Sequence, residues 1–302
     1  MKFGVMIPSG YPGMNPQSIR DFAVEAERIG LESVWHSDSL LRPTAQPIDF
    51  GNGMSITTPE QSARQYAPLE TLSYLAAATS RIRLGTAVLA ALFQNPASLA
   101  RRLATVDQFS GGRLIAGLGQ AWVPQEFEAA GLSPKRRGAG FAEHVEAMRA
   151  AWGPDPVRFD GRFYQIPESQ IGPKPVRPGG PDVLIGAASP AGLERAGAQG
   201  LGLLPVMFGW DALGGQLSTY RAAASAAGHA DLPVVLLVNG PVGEQAVDGA
   251  APLTGSVEQV AEELPRAAEL GVDHVVWNML DVEPEAQLAA LQSGLSAWSG
   301  VK

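Results

Sequence analysis

Short apolar strands alternate with amphipathic helices along the whole of this 302-residue chain, and that alternation leaves few folds open. Strand–helix repeats pair their strands in parallel, and eight in succession close into a single (β/α)8 barrel of the TIM type. The first predicted strand covers residues 3–7 and ends at Pro8-Ser9-Gly10. Asn15-Pro16 then opens a helix, an asparagine cap followed by proline where its missing N–H costs nothing. Ile19, Phe22, Ala23, Ala26 and Ile29 follow at helical spacing, and Gly30 supplies the left-handed residue that ends it. Strand two is expected at 33–37, strand three at 82–89 and strand four at 114–118, with Asn95-Pro96 repeating the cap-plus-proline device between the last two. Strands five to eight are expected at 183–186, 202–206, 234–238 and 274–277. Residues 153–180 are rich in proline, glycine and aromatics, the composition of a loop or hairpin insertion ahead of strand five. A weak internal repeat, Ala26 to Val34 echoed by Ala268 to Val275, reuses one helix–glycine–strand junction. The expectation is one barrel domain over residues 1–302.

The composition narrows the chemistry. With 30 acidic against 22 basic residues the formal net charge is −8, which repels phosphate backbones and argues against nucleic acid as a partner. The absence of cysteine excludes disulfides, thiolate metal sites and cysteine nucleophiles. No apolar run approaches the roughly 20 residues that span a bilayer, and the run after Met1-Lys2 is too short for a signal-peptide core, so a cytoplasmic location away from membranes is expected. In such a barrel the active site lies in the loops after the strands. Those loops are poor in titratable groups: Asp38, Glu126 nearby, and His36. No metal-ligand spacing, nucleophile elbow or paired-carboxylate arrangement stands out among them. A mouth so short of acids and bases suits an enzyme whose hard chemistry is done by a bound cofactor.

Ordered segments carry a family resemblance. They are Gly30-Leu31-Glu32-Ser33-Val34-Trp35-His36-Ser37-Asp38, Arg81 to Leu89, Asn95-Pro96 through Gly111-Gly112-Arg113, Gly117-Leu118-Gly119-Gln120-Ala121-Trp122 with Glu126-Phe127, Gly172 to Pro175, and Ile185 to Pro190. In this order, over nearly the whole chain, they resemble the luciferase-like oxidoreductases, in particular the branch dependent on coenzyme F420 (F-420, 8-hydroxy-5-deazaflavin). The resemblance implies hydride transfer between the reduced deazaflavin and a small organic substrate, a carbonyl compound or activated alkene. It also admits a two-component monooxygenase using reduced flavin mononucleotide (FMN) and oxygen. A third reading, a flavin-binding protein without turnover, stays open. It further implies a homodimer and, where the coenzyme must be regenerated, a separate cofactor-reducing enzyme.

Residue by residue, the resemblance implies a non-proline cis peptide at Ala87-Val88 beside the cofactor ring. It places the phosphate-binding turn at Ala188 and Ser189, where Ser189-Pro190 also opens a helix whose N-terminal N–H groups favour an anion. Asp38 matches the acidic position that hydrogen-bonds the cofactor, and Gln120 and Gln125, after strand four, complete the cofactor-binding candidates. Two departures stand out. Relatives place a histidine after that aspartate, where this chain has Ser39, and the sugar-phosphate dehydrogenases carry a glutamate where it has Trp122, so sugar phosphate is not the expected substrate. Proton sources are then His36, which strand periodicity would put on the side of Asp38, a water ordered by Ser39 and Asp38, or bulk solvent, and the water route is expected. Lys135-Arg136-Arg137 could meet an anionic cofactor tail, but reads first as a solvated start to a helix. Trp122, Phe208 and Trp210 wall an apolar substrate pocket if they face the mouth, and pack the barrel rim otherwise.

Overall fold

The computed structural model describes residues 1–49, 55–298 and 300. Its eight barrel strands are β1 (Lys2–Met6), β2 (Ser33–His36), β3 (Arg83–Thr86), β4 (Leu114–Gly119), β5 (Asp182–Ile185), β6 (Gly202–Leu203), β7 (Val235–Asn239) and β8 (His274–Asn278). All pair in parallel, in the order β6-β5-β4-β3-β2-β1-β8-β7. Two parallel bridges, Leu203 with Val234 and Val206 with Leu237, join β6 to β7 and close the ring.

The helices are α1 (Pro16–Ile29), α2 (Pro68–Ala78), α3 (Pro96–Ser110), α4 (Pro124–Ala129), α5 (Ala139–Trp152), α6 (Pro190–Ala198), α7 (Trp210–Ala226), α8 (Val257–Glu269) and α9 (Pro284–Ala297). Their ends follow the local signals. The Asn15 side chain accepts from the amides of Gln17 and Ser18, and Gly30 closes α1 at φ 95°. Asn95 caps α3 in the same way and Gly111 ends it at φ 66°.

Two apolar layers result from the two-residue period of the strands. Met6, Trp35, Ile115, Leu184, Leu204, Val235, Leu237 and Val276 fill the barrel, while Val5, Val34, Leu84, Ala116, Ile185 and Val275 belong to the larger layer under the helices. Trp35 is fully buried inside and shapes its neighbours. It stands beside Gly85 of β3, where a Cβ would lie 2.2 Å from its ring. Its indole N–H donates to Ser33 Oγ at 2.6 Å, which in turn meets His274 Nε2 at 2.9 Å.

Three departures from the expected strands bear on the site. Strand three is broken: β3 stops at Thr86, the Ala87–Val88 peptide is cis, and Leu89–Ala90 forms a separate short strand along β4. β6 keeps only two residues of the expected five, because Pro205 brings no N–H to the ladder. The chain between β2 and α2 is elaborated, with Ile48–Asp49 antiparallel to Ser55–Ile56 and a 3₁₀ helix at Glu60–Arg64. The expected insertion before β5 is a hairpin, Val157–Asp160 against Gln165–Ser169.

Candidate active site at the barrel mouth

The ends of β2 to β5 open onto a cavity of about 540 Å³. Its floor is built by glycine. Val88 sits where β4 and β5 end, and a Cβ on Gly119 would lie 2.4 Å from its Cγ2, one on Gly186 3.0 Å from its Cγ1. Hydrogen at Gly119 leaves the Val88 side chain its place and at Gly186 keeps it from being crowded, with Ala87 and Val88 lining the space above.

One wall is acidic. Asp38, just past β2, accepts the Ala90 amide on Oδ2 at 3.0 Å. Glu126, in the first turn of α4, reaches across to the same loop and accepts the amides of Leu40 at 2.8 Å and Leu41 at 3.4 Å on Oε1. Burial raises the pKa of both carboxyls, and the Asp38 charge raises that of Glu126 further. No reading of the sequence pairs these two residues, 88 positions apart; the α4 start at Pro124 and the β2 loop do so in space.

The rest of the rim is aromatic and positive. Trp122 lines the cavity with 43% of its surface exposed. Arg137 lines it too, its guanidinium 4.7 Å over the Phe127 ring, and among the described residues no carboxylate forms an ion pair with it. Ser189 caps α6 by accepting the Gly192 amide at 3.3 Å. The exposed turn from Ala188 to Ala191 then presents the Ala191 N–H, which has no acceptor within the helix.

Of the residues singled out from the sequence, the fold gathers Asp38, Ala87, Val88, Gln120, Ala188 and Ser189 around one cavity. Gln120 also has a local task, its Oε1 accepting the Gly138 amide at 2.5 Å just before α5. Three others are placed elsewhere. β2 ends at His36, so strand periodicity does not carry on to Asp38, and His36 shares its face with Val34, under the helices. It is fully buried, with Nδ1 2.6 Å from the Ser37 carbonyl oxygen and Nε2 without a partner, and burial lowers its pKa to about 4. That position is the packed one and keeps it off the cavity lining, against its candidate role as an acid. Ser39 turns its hydroxyl to the Leu41 carbonyl at 3.4 Å and lies off the cavity lining, away from the place expected for a residue that orders a water with Asp38. Gln125, beside Glu126 in α4, also lies off the lining, because the helix aims its neighbour inward instead.

The basic run divides. Arg136 lies 5.0 Å over Phe163 and 5.4 Å from the Tyr164 ring centre, whereas Lys135 and Arg137 are exposed, Arg137 at the edge of the cavity. Phe208 is 75% exposed and Trp210 lies under the Arg266 guanidinium at 4.8 Å, so of the three aromatic candidates only Trp122 walls the cavity. Among the described residues no cluster of three metal-donor side chains occurs, and no helix is long and apolar enough to cross a membrane.

Comparison with known proteins places this mouth. An uncharacterized protein of Mycobacterium tuberculosis (strain ATCC 25618 / H37Rv) is 36% identical over 222 residues, covering 72% of this chain and 71% of that protein. An F420-dependent glucose-6-phosphate dehydrogenase of Amycolatopsis mediterranei (strain U-32) is 31% identical over 209 residues, 66% of this chain and 57% of that enzyme. Two solved structures share the fold at a TM-score of 0.81. The monooxygenase RslO1 of Streptomyces bottropensis is 23% identical, with 98% of this chain and 99% of that one covered. An F420-dependent secondary alcohol dehydrogenase bound to an F420-acetone adduct is 18% identical, with 98% of each covered. The family model of the luciferase-like monooxygenases matches residues 1–248, the stretch that carries β1 to β7 and every wall of the cavity. The chain belongs to the luciferase-like monooxygenase family.

Proposed function

We propose that this chain is an oxidoreductase that binds coenzyme F420 at the barrel mouth and exchanges a hydride with a small carbonyl compound or activated alkene. The observation that carries the reading is the composition of the one cavity. A glycine-supported floor at Ala87 and Val88 lies in the same space as a positive rim made by Arg137 and the start of α6. A planar ring with an anionic tail needs those two features together. When bound, the coenzyme supplies the hydride chemistry that the side chains of the mouth lack.

The residues divide the remaining work. The Ala191 N–H and the α6 dipole would hold a phosphate, with Arg137 adding a charge that no carboxylate neutralises. Asp38, fixed by the Ala90 amide, keeps a second oxygen for a hydrogen bond into the cavity. Trp122 supplies apolar surface for a substrate without a phosphate of its own. An F420-dependent relative supports the coenzyme, and the F420-acetone adduct of a solved neighbour supports this substrate class.

Anaerobic titration of the purified chain with F420 and with FMN, followed by turnover with each reduced form, tests the proposal. The expected result is tighter binding of F420, and oxidation of its reduced form by ketones or activated alkenes without oxygen. Preference for FMN with oxygen consumption would replace it by the monooxygenase reading. Binding without turnover over a broad substrate panel would reduce it to a flavin-binding protein.

A further inference from the structure

The cavity holds one more group equipped for chemistry. Glu126 is almost wholly buried, yet it borders the same open space as Asp38. Each carboxyl is anchored by one oxygen: Asp38 Oδ2 on the Ala90 amide, Glu126 Oε1 on the amides of Leu40 and Leu41. Among the described residues neither Asp38 Oδ1 nor Glu126 Oε2 accepts a hydrogen bond. Glu126 is buried and Asp38 half-buried on the same space, and burial together with the Asp38 charge makes ionisation of Glu126 harder. Glu126 is the less exposed of the two. Arg102 of α3 acts on Asp38 from outside the cavity and is itself ion-paired with Glu70 of α2, and Arg137 on the approach to α5 is the cation that lines the cavity among the described residues.

We infer that Glu126 is the proton donor of the site, filling the role that neither His36 nor Ser39 is placed to take. The inference rests on the hydride-transfer reading above. In carbonyl reduction the hydride from the reduced deazaflavin adds to the carbonyl carbon, and the C=O π electrons move to oxygen. The Glu126 O–H bond breaks and its proton passes to that oxygen, giving the alcohol. The coenzyme is oxidised by two electrons, and the Glu126 carboxylate takes a new proton from solvent at the open mouth. Burial and the Asp38 charge hold the Glu126 proton to higher pH than an ordinary glutamate would keep it, which suits a donor.

The alternative is that Glu126 only clamps the β2 loop. Glu126→Gln separates the two, because the amide oxygen still accepts from Leu40 and Leu41 while the titrating proton is lost. In cofactor-free protein labelled with ¹³C at the glutamate carboxyls, one resonance should titrate above the ordinary range. It should vanish in Glu126→Gln and move to lower pH in Asp38→Asn. In loaded enzyme, single-turnover hydride transfer should fall about 10²–10⁴-fold in Glu126→Gln at unchanged F420 affinity, and lose the decline toward high pH seen in the parent. If every glutamate titrates in the ordinary range, or the variant transfers hydride at the parental rate, Glu126 is a clamp and the inference falls. Failure of the parent protein to bind F420 strikes the proposed function instead, and leaves the apo titration to decide whether Glu126 holds its proton.

Discussion

At the residue scale, two side chains show how burial sets behaviour at the barrel mouth. Val88 occupies space that Gly119 and Gly186 leave open. Gly119→Ala forces a methyl to within 2.4 Å of Val88 Cγ2, so the valine must move. Overpacking of this kind costs about 1–3 kcal/mol, and the displaced floor should weaken F420 binding as well. Chemical denaturation and ligand titration of the same variant check both. His36 is neutral in the fold, its pKa lowered to about 4 from 6.5 by burial. Its contribution is therefore fully present above about pH 6.5 and is lost as pH falls toward 4. The difference corresponds to about 3 kcal/mol. His274, lowered to about 3 by burial and then by Lys2 and Arg83, extends the same loss to lower pH. Urea unfolding between pH 7 and 4.5 should show this decline, and His36→Gln should flatten it while leaving F420 binding at neutral pH intact. A variant that binds F420 poorly at neutral pH while remaining folded would return His36 to the site.

At the element scale, the two ends of the barrel divide stability from binding. At the end away from the mouth, Arg113 ties the α2 terminus to the start of β3. It donates to the carbonyls of Ser110, Ile82, Ala76 and Thr79 and to Thr79 Oγ1, over distances of 2.7 to 3.0 Å. A lysine cannot reproduce that fork. Arg113→Lys should lower unfolding stability by about 2 kcal/mol, from carbonyls left without donors, with F420 affinity unchanged. At the mouth the logic reverses. Ser189→Asp keeps an acceptor for the Gly192 amide, so α6 retains its cap, but it sets a negative charge against the phosphate. The expected loss is about tenfold in F420 affinity, equivalent to about 1.4 kcal/mol. Affinity equal to that of the parent would move the phosphate away from α6.

At the scale of the whole molecule, the ring is unevenly closed. β1 pairs along its length with both β2 and β8, whereas β6 meets β7 only through two isolated bridges. Pro205 and Pro233 explain the seam, since neither brings an N–H to a ladder. Native-state hydrogen exchange should therefore find the Leu203 and Met207 amides opening at lower free energy than those of Val5 and Val34. Equal protection around the ring would mean that the helices, α6 and α7 above all, hold the seam as firmly as strand pairing holds the rest.

The strand–helix alternation, the caps at Asn15 and Asn95 and the glycine stops at Gly30 and Gly111 were legible in the sequence, because each depends on residues a few positions apart. So was most of the cavity wall, because Asp38, Ala87, Val88, Gln120, Ala188 and Ser189 follow strands whose ends the fold brings to one side. Tertiary structure decided the rest. Regular alternation up to the end of β2 put His36 on the Val34 face under the helices, and the loss of strand geometry after it left Asp38 at the cavity. The meeting of Glu126 with the Asp38 loop, and the place of the exposed Arg137 at the cavity edge, depend on how loops far apart in the chain close over one space. Periodicity within a segment carries no information about that, because the energies involved arise only when distant groups leave water together.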